Sequence, residues 1–311
     1  MDKLRYFGHL EDNIGDPFDY YINQNYIVCR GATDQAKIDK VLQLYRDLVI
    51  NSESMYLRQS GQWEQHVKTD VGGVVNCFLN CHSFEAGANG RFSRAILSLL
   101  SSPLIKQALS QISGKKSCFK LFQTMLFDHS VTRSHQDWIY LDSRPNGHLI
   151  AAWVALEDTH PEGIRFYVYP GSHNFSPHKN YLNTTDHTMY DGFLVEVDRY
   201  LESSGLQVYA PPLNRGDIFF WSSRIIHGSA PGSNSSLRRR SIAAHFVPDG
   251  FGFGNLREDF SLNFKTKYDL IYADYSMDNR FQEYNKDLAW KRFPKQNPGL
   301  VLRSLLKHLG S

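Results

Sequence analysis

The chain has 311 residues, with 34 basic against 32 acidic side chains and a formal net charge of +2. That balance gives no electrostatic reason to expect nucleic acid or an anionic membrane surface as a partner. The length suits one large β-rich domain or two ordinary ones, each with an ample core.

The N-terminus opens on charge, Met1-Asp2-Lys3-Leu4-Arg5, with no apolar h-region, so no secretory signal is expected. The longest clean apolar run, residues 149–156, is far too short to span a bilayer. The four cysteines, Cys29, Cys77, Cys81 and Cys118, contain no Cys-x-x-Cys pair and are too few for a disulfide scaffold of this size. Buried free thiols and a cytoplasmic protein are the expectation. Cys77, Cys81 and His82 mimic part of a zinc cluster, but no partner pair follows at zinc-finger spacing.

In the first thirty residues only Tyr26-Ile27-Val28-Cys29 resembles a strand. Helical spacing then links Ile38, Val41, Leu42, Tyr45, Leu48 and Val49, with Thr33 or Asp34 as N-cap. Residues 61–90 are polar and turn-rich, and an insert facing a substrate could lie there. A second helical zone covers 92–112, restarted by Ser102 as N-cap and Pro103 at the first helical position, and stopped by Gly114.

From 118 to 248 the period falls to two. Strands are predicted over 120–127, 149–156, 164–169, 207–209, 217–221 and 239–247, separated by Pro- and Gly-containing turns. Many short strands with regular punctuation predict a double-sheet jelly roll. The expected organisation is a single domain over 1–311: a mostly helical part over 1–117, the jelly-roll core over 118–248 and an extension over 249–311. Within the extension, Leu302, Leu305, Leu306 and Leu309 share one face of a predicted closing helix. The C-terminal Leu309-Gly310-Ser311 matches no peroxisomal address.

The chemistry concentrates in Ser134-His135-Gln136-Asp137-Trp138. At a strand end, His135 and Asp137 project to one face about 6.6 Å apart, from a ~3.3 Å rise per residue, while Gln136 points the other way. One imidazole and one carboxylate are two-thirds of the 2-His-1-carboxylate set that holds non-haem Fe(II). His227, just beyond the apolar strand 217–221 and followed by Gly228, is the candidate third ligand. Further on, Arg238-Arg239-Arg240 enters a strand of small residues. A buried guanidinium must be paired, and a dicarboxylate would pair it bidentately. Arg239, Ser241, Ala243 and His245 share one face, small and polar, which favours Arg239 as the cavity residue.

Taken together these residues resemble the phytanoyl-CoA dioxygenase family. The resemblance runs through Thr124-Met125-Leu126, His135-Gln136-Asp137, Ala152-Trp153, Pro170-Gly171-Ser172-His173 and His227-Gly228-Ser229 to the arginine-rich strand. It implies a mainly β fold with flanking helices, a double-stranded β-helix of jelly-roll, cupin-like type. It implies Fe(II) on His135, Asp137 and His227, with 2-oxoglutarate and O2 converted to succinate and CO2 as an unactivated C–H bond of a small molecule is hydroxylated. Arg239 or Arg238 would hold the far carboxylate: the usual interval from the histidine selects Arg238, the strand match Arg239. Ser229, Gln136, Trp153 and the Met125 backbone match positions lining the co-substrate. A lysine that assists in some members has no clear counterpart. Related halogenases carry a small residue where Asp137 stands, so the carboxylate argues for hydroxylation or desaturation.

The uncovered segments, rich in Tyr, Asn and His, suit a polar substrate, and a tailoring step in specialised metabolism is the expectation. Phytanoyl-CoA itself is not expected, because no basic groove for its phosphates is visible. Two other readings use the same residues: a zinc hydrolase on the His/Asp/His set, and a non-catalytic jelly-roll binding module. The hydrolase lacks a general-base carboxylate beside the motif.

Overall fold

The structure, a computed structural model, describes residues 4–8, 14–59, 61–84, 87–114, 116–177, 188–234 and 236–277. The chain divides into two compact units, Met1–Ala273 and Asp274–Ser311. In the second, the described residues form a turn over Tyr275–Met277 in which Asp274 accepts hydrogen bonds from the Ser276 backbone and hydroxyl. The predicted helix carrying Leu302 to Leu309 lies outside the described residues.

In the first unit the elements run β1 (Arg5–Phe7), α1 (Pro17–Gln24), β2 (Tyr26–Arg30), α2 (Gln35–Leu44), β3 (Tyr56–Leu57), β4 (Trp63–Glu64), β5 (Phe78–Leu79), α3 (Gly87–Leu100) and α4 (Pro103–Ile112). Then come β6 (Phe119–Phe127), β7 (Thr132–His135), β8 (Asp142–Arg144), β9 (Ile150–Ala155), β10 (Arg165–Val168), α5 (Thr188–Ser204), β11 (Ile218–Ser222) and β12 (His227–Ala230). The series ends with β13 (Ser241–Pro248), β14 (Gly252–Gly254), β15 (Phe264–Lys267) and β16 (Leu270–Ala273).

The large sheet has the order β1-β2-β11-β9-β13-β6-β16-β15, with β5 also on β6; the small sheet is β10-β12-β7. The two sheets make the jelly roll. Strands β9, β11 and β13 read as almost continuous apolar or small runs because both of their faces are covered. On one face Ile218, Phe220, Val154, Ile242 and Phe246 pack against helical residues such as Ile38, Val41, Ile105 and Leu109. On the other, Phe219, Trp221, Trp153 and Ala243 meet Phe166 and Val168 of the small sheet. The period of two thus sorts one strand between an outer helical cover and an inner cavity wall.

The helix signals sit where their chemistry requires. Asp34, rather than Thr33, caps α2 by accepting from the Ala36 and Lys37 amides. The Ser102 hydroxyl caps α4, and Gly114 follows that helix at φ 73°.

The part over 1–117, expected to be mostly helical with one strand at 26–29, also contributes β1, β2 and β5 to the large sheet. Three expectations are corrected. The strand at 207–209 reduces to one bridge, Tyr209 to Val168. The strand expected at 239–247 begins at Ser241, leaving Arg239 on its approach. Residues 252–273 add three strands: β15 and β16 extend the large sheet, and β14 pairs with β8 in a separate two-stranded sheet.

Under the helical cover, His66 supplies a pH-sensitive contact. Its Nε2 lies 3.1 Å from the Val49 carbonyl and its Nδ1 3.3 Å from the Arg58 guanidinium, so the ring is held neutral with Nδ1 accepting. Burial, aided by the Arg58 charge, pushes its pKa down to about 4. A folded-state value below the unfolded one contributes stability above pH ~6.5 that is lost as pH falls toward 4. The expected loss is roughly 2–3 kcal/mol from this group. Urea midpoints should fall between pH 6.5 and 4, and His66→Gln should flatten part of that slope; an unchanged slope would refute the assignment.

Candidate active site

The last residue of β7, His135, lies opposite His227, the first residue of β12. Asp137 is not on the strand: it opens a 3-10 turn over Asp137–Ile139, and this turn swings its carboxylate between the two imidazoles. Asp137 Oδ1 is 3.4 Å from His135 Nε2 and 3.5 Å from His227 Nε2. One donor atom from each of the three residues lies within 4.8 Å of the others.

Both imidazoles are oriented from behind. His135 Nδ1 is 2.8 Å from the Arg133 carbonyl and His227 Nδ1 is 3.1 Å from the Ile225 carbonyl. With the protons on Nδ1, both Nε2 lone pairs face the common point. The strand carrying His227 is fixed in turn by the Pro170-Gly171-Ser172-His173 turn. There the Ser172 hydroxyl, rather than His173, accepts from the Ile226 amide at 2.8 Å. Gly228 is required beside it, because a Cβ there would come within 2.7 Å of the Thr132 carbonyl.

Burial works against the charge on Asp137, but His227, His135 and His245 outweigh it and hold the carboxyl well below the usual carboxylate range. Burial brings the His227 imidazole down to about 4. At His135 burial is overcome by the hydrogen bond and charge of Asp137, which raise its pKa. An ionised carboxylate beside a neutral imidazole is a donor pair ready for a cation. Asp137 Oδ2 accepts from the Trp221 indole at 2.9 Å, which turns Oδ1 toward the histidines. Trp221→Phe keeps the ring and removes that donor. Metal affinity should fall about 10- to 100-fold, as for other outer partners of ligands; Mn(II) equilibrium dialysis checks this, and unchanged affinity would contradict it.

The three residues line a cavity of about 550 Å³. Arg239 lines it too, fully enclosed, with its guanidinium 5.0 Å from the Trp153 ring centroid and 5.7 Å from that of Phe127. Its Nη2 donates to the Ser130 carbonyl at 3.3 Å, while Nε and Nη1 have no protein partner. Burial lowers its pKa to about 9. Arg238 is half-buried over the turn at Gly72 and is not in the cavity wall. Arg240 faces away, paired with Glu157 at 2.8 Å.

Ser229, Trp153 and Met125 line the cavity. Gln136 does not. Its amide donates to the Arg224 and Phe175 carbonyls and accepts from the Trp138 indole, tying the His135–Asp137 turn to its surroundings. Cys77, Cys81 and His82 form no metal set: His82 is engaged by Thr124 and the Ala273 carbonyl, and burial pushes the thiols up to about 11 and 12. The fully buried His245 lines the cavity on the face that alternation shares with Arg239. Trp221 is a site residue that the sequence reading missed, because its indole contact spans 84 residues of sequence.

The donor set fits Fe(II): two imidazole nitrogens and one carboxylate oxygen on one side of a point, the other side open to a cavity. The unpartnered Arg239 nitrogens, in the wall of the cavity, fit a dicarboxylate such as 2-oxoglutarate.

The chain is similar to peroxisomal phytanoyl-CoA dioxygenase of Mus musculus, 28% identical over 119 residues, which is 36% of this chain and 32% of that protein. The Homo sapiens protein is 27% identical over 116 residues, again 36% of this chain and 32% of the other. The alignments therefore span about a third of these curated relatives. Among solved structures, the α-ketoglutarate-dependent epimerase SnoN from nogalamycin biosynthesis matches with TM-score 0.54 at 19% identity, covering 78% of this chain and 85% of the other. SnoN has also been solved with Fe3+, α-ketoglutarate and nogalamycin RO, and matches with TM-score 0.53 at 18% identity over 77% and 85% of the two chains. The carbocyclase SnoK of the same biosynthesis matches with TM-score 0.55 at 14% identity, over 78% and 88%. Identities this low establish the shared jelly-roll fold. The family model for phytanoyl-CoA dioxygenase (PhyH) matches residues 24–241, from the end of α1 to the start of β13, and the chain belongs to that family.

Proposed function

We propose that this protein is an Fe(II)- and 2-oxoglutarate-dependent oxygenase that hydroxylates an unactivated C–H bond of a small molecule, as a tailoring step in specialised metabolism. The observation that carries the reading is a pairing within one cavity: the convergent His135, Asp137 and His227 with the enclosed, incompletely partnered guanidinium of Arg239.

Iron held there would supply O2 activation and C–H oxidation, while the protein supplies binding, orientation and exclusion of water. His135 and His227 present Nε2, and the carbonyls behind them hold the rings. Asp137 contributes Oδ1 and is kept from rotating by Trp221. Arg239 takes the far carboxylate of 2-oxoglutarate, whose charge offsets the desolvation of the guanidinium. Trp153, Phe127 and Phe166 form dry walls around that end of the cavity. The zinc-hydrolase alternative is weaker, because Asp137 is the one carboxylate among the described lining residues and no second one stands ready as a general base.

The test is succinate formation from 2-oxoglutarate. It should require both Fe(II) and O2, fail with Zn(II), and with a true substrate yield a product one oxygen atom heavier. Metal-independent or O2-independent turnover would sink the oxygenase reading.

A further inference from the structure

The charged groups of the cavity wall are already committed. Arg133 is drawn outward into an ion pair with Asp198. His135, Asp137 and His227 face one another, and Arg239 is the deep cation. What remains for a second ligand is mostly apolar or aromatic, with neutral polar groups only: the amides of Gln59 and Gln123 and the hydroxyl residues Thr132, Tyr140 and Ser229. Leu79, Leu141 and Leu194 supply the aliphatic part. Phe122 stacks with Phe260 at a centroid distance of 5.7 Å and 17° between ring planes, and with Phe253 at 4.7 Å and 25°. Phe264 extends the stack from Phe253 at 6.2 Å and 25°. Near-parallel rings from β6, β14 and the segment leading into β15 thus end in the cavity at Phe122 and Phe260.

His245 stands in the same wall, and beyond its effect on the Asp137 carboxyl the iron and 2-oxoglutarate assignment leaves it unused. It is fully buried, edge-on to Trp221 at 6.1 Å, and neither ring nitrogen has a hydrogen-bond partner in the protein. Its Nε2 is 3.8 Å from Asp137 Oδ2, too far for a hydrogen bond. An enclosed imidazole left in that state costs about 1–3 kcal/mol, so a ligand carrying a matching oxygen gains by satisfying it.

We infer that the molecule this cavity takes beside 2-oxoglutarate is a neutral, ring-bearing compound whose hydroxyl or carbonyl oxygen hydrogen-bonds to His245 while its rings lie along Phe122 and Phe260. The inference rests on the oxygenase reading for calling that molecule the substrate. A charged group in this part of the site would be desolvated with no counter-charge, at a cost of several kcal/mol. The same argument disfavours a nucleotide thioester, whose phosphates would find only Arg133 and Arg239 in the described wall, both already engaged. It also replaces the polar substrate expected from the composition of the uncovered segments.

The test uses the anaerobic full-length protein loaded with Fe(II) and 2-oxoglutarate, and equilibrium dialysis of four probes of one size: naphthalene, 2-naphthol, 2-naphthoate and 2-naphthylmethylammonium. 2-Naphthol should bind at least about tenfold more tightly than either ion. His245→Leu should weaken 2-naphthol about tenfold, to the level of naphthalene, while naphthalene itself changes less than about twofold. Phe260→Ala, a change in a surface segment, should weaken naphthalene and 2-naphthol together. The visible charge-transfer absorbance of the Fe(II)–2-oxoglutarate complex is read on the same samples, and its absence would count against the oxygenase reading and not against the cavity's preference. With that absorbance present, either of two results overturns the inference: an ion binding as tightly as 2-naphthol, or a 2-naphthol to naphthalene ratio unmoved by His245→Leu.

Discussion

Asp137→Ala is expected to abolish turnover and to weaken metal binding by more than about 100-fold, since the loss of a ligand must exceed the 10- to 100-fold cost of losing an outer partner. The carboxylate is the only anionic member of the set, and it lies 3.4 and 3.5 Å from the two imidazole nitrogens. Without it a divalent cation meets two neutral rings in a buried site, with no charge to offset its own desolvation. Asp137→Asn separates charge from shape: the amide oxygen can still accept from Trp221, yet the anion is gone, so metal binding should fall nearly as far. His227→Ala should match Asp137→Ala in turnover. Mn(II) dialysis and succinate formation check all three variants, with circular dichroism verifying the fold. Near-normal metal affinity in Asp137→Ala would mean that the cluster is not the metal site.

Much of this candidate site was legible because its clustered residues come from short local patterns. His-x-Asp two residues apart, and a histidine followed by glycine after an apolar strand, carry their meaning in spacing alone. What spacing did not reveal was where the strand stops. Asp137 reaches the histidines because the chain leaves β7 and turns, not because it continues extended. For Gln136 the two lines of reasoning disagreed: alternation turned it away from the metal, while resemblance set it beside the co-substrate. The structure sides with alternation.

The fold was legible where strands are buried on both faces, as in β9 and β11, since burial enforces a composition. It was not legible in β14 to β16. Phe264-Lys-Thr-Lys267 is short and mostly exposed, with no apolar alternation; β15 pairs with β16, which takes its own place from the edge of β6. Such strands are specified by the sheet they join. The same holds for Trp221, whose contact with Asp137 arises only when β11 meets the turn after β7.

Arg239→Gln should raise the apparent KM for 2-oxoglutarate by more than about 10²-fold, corresponding to the roughly 3–5 kcal/mol lost when one partner of a buried ion pair is removed. Arg238→Gln should change it less than about threefold, as expected for a partly solvated side chain outside the cavity. The two arginines are adjacent, so the contrast isolates direction from sequence position. Arg239 precedes β13 on the face it shares with Ser241, Ala243 and His245, and its Nε and Nη1 lack partners in the protein. Arg238 lies over Gly72 and Arg240 is held by Glu157, so neither is available to a ligand in the cavity. Arg239→Lys restores charge without the planar fork and should recover only part of the loss, because a single ammonium cannot bind a carboxylate bidentately. Succinate formation across a 2-oxoglutarate series measures all three. If Arg238→Gln proved the damaging change, the diacid would have to enter from the Gly72 side, and the cavity between Trp153 and Phe127 would need another occupant.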